Sequence, residues 1–171
     1  MGDGAAAAQT SNFEALLREH RGILFKLAYA YAWGAEDRED LVQEMSLQLW
    51  HSWPRDDSQR RFSTWMYRVA LNTAISHARA RRARGHSVPL DEAPVVPAKG
   101  LNPAAPAVQD LWAVLRRLEE LDRALVVLYL EGRSYREIGE VLGISESNVG
   151  TKLNRLKARL RRELAQRKGG N

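Results

Sequence analysis

The chain has 171 residues, of which 44% are hydrophobic and 27% are charged, a balance that fits a globular protein and argues against disorder throughout. It contains no cysteine, which excludes disulfides, thiol nucleophiles and cysteine-based zinc sites, and its four histidines lack metal-ligand spacing. We therefore expect no metal and no cofactor. No apolar run reaches the ~18–20 residues that span a bilayer, and no secretory signal is recognisable, so we expect a cytoplasmic protein without membrane insertion.

Charge is distributed unevenly along the chain. Lysine and arginine number 26 against 21 aspartates and glutamates, which gives a net charge of +5. Acidic residues dominate between positions 36 and 57, whereas the segment from position 145 onward holds eight basic residues and two acidic ones. This asymmetry predicts one surface that meets positive charge and another that meets phosphates.

Five of the six prolines fall between residues 84 and 108. Proline fixes φ and removes a hydrogen-bond donor, so this stretch is predicted to be an extended linker. It separates a first domain, residues 11–83, from a second domain, residues 109–167. Apolar residues recur at spacings of three and four in both domains, and no alternating stretch indicates a strand. The predicted fold is all-α: two small helical domains joined by a proline-rich linker, the second a helix-turn-helix domain.

The first domain is predicted to contain three helices. An apolar stripe from Phe13 to Tyr31 indicates the first, which Gly34 is expected to end. A second helix over about residues 37–50 carries an apolar face. A third is expected to begin near Ser63, a suitable N-cap.

The helix-turn-helix prediction depends on residues 134–153, SYREIGEVLGISESNVGTKL. Gly139 allows two helices to approach closely, and Gly143 can take the positive φ that a tight turn needs. Ser145 is placed to cap the next helix with its hydroxyl. This spacing is typical of a motif whose second helix enters a major groove.

A helical wheel of that second helix separates two faces. At ~100° per residue, Val149, Leu153 and Leu156 form a buried stripe, and polar and basic residues lie opposite. Short polar groups and arginine suit base edges, and flanking basic groups suit phosphates. The alternative is an amphipathic helix with a solvated basic face. The candidate DNA-contacting residues are Ser147, Thr151, Lys152, Asn154, Arg155 and Arg159.

Two further segments carry a family resemblance. Residues 36–50, EDREDLVQEMSLQLW, resemble the acidic helix of bacterial sigma factors, and residues 62–72, FSTWMYRVALN, resemble their promoter-melting helix. Together with the helix-turn-helix, in the same order and spacing, the chain resembles an extracytoplasmic-function (ECF) sigma factor over residues 11–83 and 109–165. The resemblance implies a transcription initiation factor that binds core RNA polymerase and directs it to promoters. The first domain would recognise and open the minus-ten element, and the second would bind the minus-thirty-five element as duplex DNA.

The resemblance also implies a polymerase-binding face on the second helix. A leucine ringed by polar and acidic groups opposite the apolar stripe suits a protein interface. A solvated acidic face is the alternative explanation. The implied polymerase-binding residues are Asp40, Gln43, Glu44 and Leu47.

The third helix would meet the melted minus-ten strand. Single-stranded bases stack on aromatic side chains, and an asparagine amide can recognise a flipped base. Asn72 matches the family position that lines a pocket for an extruded base, whereas Trp65 fits a core residue equally well. The implied minus-ten residues are Trp65, Tyr67, Arg68, Asn72, Arg79, Arg81 and Arg82.

Two positions depart from the family pattern. Ser46 stands where an aromatic residue is usual, and Gly150 stands where lysine or arginine is common, so promoter preference cannot be transferred from relatives. The alternative function is a stand-alone helix-turn-helix regulator that binds duplex DNA without polymerase. An enzyme is not expected, because the sequence shows no phosphate-binding glycine loop, nucleophile arrangement or metal cluster. An inhibitory anti-sigma protein is common in the family and would be a further partner.

Overall fold

The computed structural model describes residues 3–53, 61–85 and 106–170, with the side chains of residues 10–53, 61–85, 106 and 110–170. Within these residues the chain is helical and no strand occurs, so the predicted all-α fold is confirmed. The helices are α1 (Asp3–Tyr31), α2 (Ala35–Ser52), α3 (Phe62–Ala83), α4 (Pro106–Leu115), α5 (Glu120–Leu130), α6 (Tyr135–Leu142) and α7 (Glu146–Gly169).

The first three helices pack around one apolar core. On α2 the buried residues recur every fourth position, Asp37, Leu41, Met45 and Leu49, so one stripe faces α1 and α3. One end of the bundle is closed by aromatic rings with neighbouring centroids 5.3–5.8 Å apart. This aromatic cluster consists of Phe13, Trp50, Trp53, Phe62 and Trp65.

Three local predictions in this domain differ from the structure. Helix α1 begins at Asp3, since the four alanines at positions 5–8 favour helix. Gly34 does not end α1: its φ of −103° and ψ of 162° place it in extended backbone as the N-cap of α2. Ser63 is not the N-cap of α3, because the helix begins one residue earlier after Arg61. The Ser63 hydroxyl instead accepts a hydrogen bond from Arg133 of the second domain at 3.1 Å.

The second domain begins with two short helices joined by a turn. Helix α4 starts at Pro106, inside the linker predicted over 84–108, because proline fits the first turn of a helix, where no donor is needed. Helix α4 ends at Leu115 and α5 begins at Glu120, and in the turn between them the carbonyls of Arg116 and Leu118 accept hydrogen bonds from the buried Arg123 guanidinium at 2.9 Å. Leu121 lies outside the core and is half exposed.

The helix-turn-helix has the predicted local geometry. Gly143 takes φ 71° and ψ 31°, and the Ser145 hydroxyl accepts the Asn148 backbone N–H at 3.1 Å. Helix α6 begins with a capping box that was not predicted from the sequence, in which Ser134 and Glu137 each accept the other's backbone N–H. Both helices therefore begin with a side-chain cap, which fixes where each one starts.

The two domains pack against each other. Helix α3 contacts α5 and α6, and the C-terminal end of α1 contacts the first turn of α5. Buried residues of both domains form one continuous apolar cluster. Among the described residues, none of the helices is long and apolar enough to cross a membrane, and none of the acidic, histidine or cysteine side chains cluster as metal ligands.

Candidate functional site

Helix α7 presents the candidate reading residues on its exposed side. Val149, Leu153 and Leu156 are buried against the rest of the second domain. The opposite side is solvent-exposed and forms what we call the recognition row: Ser147, Thr151, Lys152, Asn154, Arg155 and Arg159. Side chains on this row can approach DNA without disturbing the core.

The position of α7 relative to α6 depends on Gly139. A Cβ at this position would lie 2.6 Å from the backbone oxygen of Ile144, in the turn that leads into α7. The Gly139 carbonyl also accepts the backbone N–H groups of Gly143 and Ile144 at 2.8 and 3.1 Å. Because Gly139 has no side chain, α6 and the turn pack closely, and this packing fixes the angle between α6 and α7, which carries the recognition row.

Two members of the recognition row are engaged within α7. The Thr151 hydroxyl donates to the Ser147 carbonyl at 3.1 Å, and Arg159 pairs with Glu163 at 2.7 Å. Within the described residues, Arg155 has no ion-pair or hydrogen-bond partner. The Arg155 guanidinium is accordingly available to a ligand, as are the side chains of Lys152 and Asn154.

The candidate polymerase-binding residues lie together on α2. Asp40, Gln43, Glu44 and Leu47 are all exposed, with Leu47 at 57%, and we call this surface the α2 face. An exposed leucine among carboxylates and an amide is suited to a protein partner.

His77 of α3 contacts the α2 face from the side. Its Nδ1 lies 3.1 Å from a Glu44 oxygen, and its Nε2 lies 2.8 Å from the buried carboxylate of Asp37. Glu44 is thus tied to α3, whereas Asp40 and Leu47 extend into solvent. Asp40 and Leu47 are therefore the cleaner positions at which to test the α2 face.

The exposed side of α3 carries three of the candidate minus-ten residues. Arg68, Asn72 and Arg79 share one face of the helix at spacings of four and seven, and all three are solvent-exposed. We call them the α3 row. The combination offers an amide between two cations, which suits a base next to phosphates.

Trp65 and Tyr67 are not available to bases in this arrangement. Trp65 is 8% exposed and belongs to the aromatic cluster, the core role that the sequence left open. Tyr67 is 1% exposed and lies beneath the second domain, where its hydroxyl donates to Glu131 at 3.1 Å and Arg133 stacks on its ring. Burial and the nearby Glu131 carboxylate raise the pKa of Tyr67 far above its usual value.

Two of the candidate arginines are held by carboxylates. Arg81 pairs with the buried Asp37 within the first domain. Arg82 reaches across to Glu120 of the second domain at 2.7 Å. In this conformation both guanidinium groups have a carboxylate partner, and the Arg82 side chain remains 63% exposed.

Both domains match known protein families. The Sigma-70 region 2 family matches residues 16–84, and the Sigma-70 region 4 family matches residues 109–160. The chain is 34% identical over 170 residues to the ECF RNA polymerase sigma factor SigE of Mycolicibacterium smegmatis, covering 95% of this chain but only 65% of SigE. It is 31% identical over 156 residues to the ECF RNA polymerase sigma factor SigL of Mycobacterium tuberculosis, covering 88% of each chain.

The chain belongs to the ECF RNA polymerase sigma factors.

Solved structures with the same fold include the sigma factor RpoE of Bartonella quintana, in complex with the anti-sigma factor NepR. It matches this ECF sigma factor with a TM-score of 0.72 and 22% identity over 90% of this chain and 97% of RpoE. CnrH, in complex with the cytosolic domain of CnrY, matches with a TM-score of 0.66 and 24% identity over 95% of each chain. At these identities the likeness establishes the fold.

The structure of this sigma factor shows the neighbours of Ser46 and Gly150, the two positions that depart from the family pattern. Ser46 is half-buried beside the groove between α1 and α2, and its hydroxyl donates to the Val42 carbonyl at 2.8 Å. A Cβ at Gly150 would lie 3.5 Å from the Tyr135 ring, an ordinary contact distance. Gly150 therefore lies beside α6 rather than in the recognition row.

Sequence reasoning missed the residues that join the two domains of the sigma factor. Tyr31, Glu120, Arg123 and Glu131 sit within ordinary amphipathic runs, and no motif distinguishes them. Glu120 and Arg123 are charged residues at buried positions of α5, with 5% and 3% exposure.

Proposed function

We infer that this protein is a transcription initiation factor that binds core RNA polymerase and directs it to particular promoters. The observation that supports this most directly is the match of both sigma regions, in order, to the two helical domains. A stand-alone helix-turn-helix regulator would not need the region 2 domain with its exposed α2 face. The protein would act inside the cytoplasm, where polymerase and chromosome meet, and we propose that it contributes no catalysis of its own.

We propose a binding partner for each of three surfaces. The α2 face binds core polymerase, the α3 row contacts the melted minus-ten strand, and the recognition row contacts the minus-thirty-five duplex. The exposure of these residues, their charge and their positions within the matched regions support this assignment. Arg81 and Arg82 would join the DNA surface only after release from Asp37 and Glu120.

We propose an anti-sigma protein as a further partner. The neighbour RpoE is in complex with the anti-sigma factor NepR. The present chain offers an apolar groove between α4, α5 and α7, with Tyr129 and Leu130 exposed at its edge. An exposed apolar groove on a charged domain is suited to a helix of a partner protein.

Function is tested by adding the purified chain to core polymerase on duplex and on pre-melted templates drawn from genomic promoter fragments. The proposal expects transcription that requires both the chain and the core enzyme. Binding of the chain to duplex DNA with no effect of polymerase would favour the stand-alone regulator instead.

Combining Asp40→Lys with Leu47→Ala should weaken binding to core polymerase about tenfold or more, which corresponds to about 1.4 kcal/mol. The change reverses one charge and removes one apolar contact on the α2 face while leaving the buried stripe of α2 intact. Fluorescence titration of labelled protein with core enzyme measures the affinity. Glu19→Lys, on the exposed side of α1, is the matched charge control. Equal affinity of the double variant and the control would show that core polymerase binds to a surface other than the α2 face.

Arg155→Ala and Lys152→Ala should have different effects on DNA binding by the holoenzyme. If Arg155 contacts a base, its loss costs about 1–3 kcal/mol and relaxes preference at one minus-thirty-five position. Lys152, aimed at phosphates, should weaken all sequences alike and reduce the salt dependence by about one charge. Both side chains are exposed, so folding should be unaffected. Holoenzyme binding to a randomised upstream element at two salt concentrations separates them, and a uniform loss for Arg155→Ala would make Arg155 a backbone contact.

A further inference from the structure

Two aromatic residues at the end of α1 carry three arginine side chains. The guanidinium groups of Arg116 and Arg123 lie over the ring of Trp33, at 4.7 and 5.2 Å from its centroid. The Arg38 guanidinium lies over the ring of Tyr29 at 4.5 Å, and Tyr29 is four residues before Trp33 in the chain. Three cations are thereby held in one small region, where α1, the first turn of α2 and the turn after α4 come together.

This region has an excess of positive charge. Among the described residues, neither Arg38 nor Arg116 has an ion-pair partner. The buried carboxylates nearby are bound elsewhere, since Asp37 pairs with Arg81 and Glu120 pairs with Arg82. Burial and the positive charges of Arg38 and Arg123 lower the pKa of Arg116. An anion at this place would therefore relieve a repulsion that no described acidic group offsets.

The same two arginines also hold unpaired buried hydrogen-bond donors. Nε and Nη2 of Arg116 and Nη1 of Arg38 are buried and have no hydrogen-bond partner in the described part of the chain. Arg123, in contrast, donates to four backbone carbonyls. Buried donors in proteins are nearly always satisfied, so three unpaired ones on two neighbouring cations point to a bound group that accepts hydrogen bonds.

The positions of these donors specify what they can bind. Nε and Nη2 form one edge of the Arg116 guanidinium, and such an edge donates two parallel hydrogen bonds to two oxygens of one oxyanion. Nη1 of Arg38 supplies a third donor. Both side chains are only partly buried as a whole, so the pair borders on solvent and an anion can approach it.

We propose that Arg38 and Arg116 form a binding site for a phosphate group, either free as inorganic phosphate or carried by a small phosphomonoester. Two phosphate oxygens accept from Nε and Nη2 of Arg116, and a third accepts from Nη1 of Arg38. A phosphomonoester has three terminal oxygens and a charge near −2 at neutral pH, which match three donors and two cations. A carboxylate or a phosphodiester offers two such oxygens and a single charge.

This site is separate from the surfaces of the proposed function. Arg38 and Arg116 belong neither to the α2 face nor to the α3 row or the recognition row. Arg38 comes from the first domain and Arg116 from the second. A bound phosphate therefore adds a contact to each domain, and it stabilises the folded protein because the site does not exist in the unfolded chain.

Isothermal titration calorimetry of the full-length chain tests the site, with ionic strength held constant by sodium chloride. The probes are inorganic phosphate, glycerol 3-phosphate and acetate. We expect saturable binding of one equivalent of phosphate and much weaker binding of acetate. Equal affinity for the first two probes would identify bare phosphate as the ligand, and tighter binding of glycerol 3-phosphate would identify a phosphomonoester.

Arg116→Gln and Arg38→Gln should each weaken phosphate binding about tenfold or more, because each removes a charged donor. Arg116→Lys keeps the charge but lacks the two-donor edge, so it should recover little of the loss. Arg117→Gln is the matched control: it removes one charge at the next residue of the same turn, where the side chain is exposed. Its affinity should stay within about twofold of the wild type.

Thermal unfolding provides a second measurement and shows whether the variants fold. Phosphate at ten times its Kd should raise the melting temperature of the wild type and of Arg117→Gln by about 3–6 °C, and that of Arg116→Gln much less. Without phosphate, Arg116→Gln should melt within about 4 °C of the wild type, because its buried donors have no hydrogen bonds to lose.

Three results would overturn the proposal. The first is the absence of saturable phosphate binding to the wild type. The second is a loss of affinity in Arg117→Gln as large as that in Arg116→Gln and Arg38→Gln, which would mean that phosphate responds only to net charge. The third is binding of acetate as tight as that of phosphate, which would make this a carboxylate site.

Discussion

An Arg123→Met variant is expected to lose about 3 kcal/mol of unfolding free energy, because four backbone carbonyls lose a charged hydrogen-bond donor. The guanidinium is 3% exposed and donates to Leu115 and Ala30 at 3.0 Å and to Arg116 and Leu118 at 2.9 Å. It thereby donates to the last carbonyl of α4, to two carbonyls of the turn that follows, and to one at the end of α1. Methionine fills similar volume but donates to none of the four carbonyls, of which Leu115 keeps a hydrogen bond from the Leu118 backbone N–H at 3.1 Å.

Two further variants separate charge from geometry at this position. Arg123→Lys keeps the charge, but one ammonium cannot reach acceptors in the planar fork of a guanidinium, so it should recover little of the loss. Arg117→Met, at an exposed position in the same turn, should change stability by less than ~0.5 kcal/mol. Urea unfolding followed by circular dichroism measures all three. Wild-type stability in Arg123→Lys would show that charge alone suffices there.

A Gly139→Ala variant should lose about 2 kcal/mol of unfolding free energy, even though alanine favours helix by about 1 kcal/mol over glycine. The added Cβ would lie 2.6 Å from the backbone oxygen of Ile144, and neither atom belongs to a flexible side chain that could move aside. Helix α6 and the turn must separate, which shifts α7. We therefore expect weaker duplex binding by the holoenzyme together with a lower melting temperature.

Gly150→Ala is the matched control and should act in the opposite direction. Its Cβ would meet the Tyr135 ring at 3.5 Å, an ordinary contact, so the gain in helix propensity of about 0.5–1 kcal/mol should appear as added stability. Thermal unfolding of both variants decides the matter. A higher melting temperature in both variants would mean that the close approach at Gly139 carries no cost.

The helix-turn-helix could be predicted in detail because its determinants are local. Gly139, Gly143 and Ser145 each act on backbone within a few residues of themselves, and the alternation of Val149 and Leu153 with exposed residues follows from helix geometry alone. The all-α fold was predictable for the same reason.

The packing of one domain on the other could not be predicted from periodicity. Tyr31 and Glu120 are 89 residues apart in the chain, and Tyr67 and Glu131 are 64 apart. A tyrosine in an apolar stripe looks the same whether its hydroxyl meets water or a distant carbonyl. The burial of Tyr67 therefore appears only in the folded structure.

Whether a serine predicted to be an N-cap does cap its helix depends on the other hydrogen-bond partners near its hydroxyl. Ser145 caps α7, whereas Ser63 lies one residue inside α3 and bonds to Arg133 across the domain contact. Both serines stand near the start of a helix, and the Ser63 hydroxyl bonds to a tertiary neighbour and not to the backbone of its own helix.

The separation between the buried stripe and the recognition row of α7 has a consequence for how such proteins diversify. Exposed substitutions away from caps and cores usually change stability by less than ~0.5 kcal/mol. Arg155 and Asn154 can therefore be exchanged by mutation while Val149 and Leu153 keep the helix in place. Where the recognition row reads promoter DNA, as we propose, one or two such exchanges give a duplicated gene a new set of target genes without an unfolded intermediate.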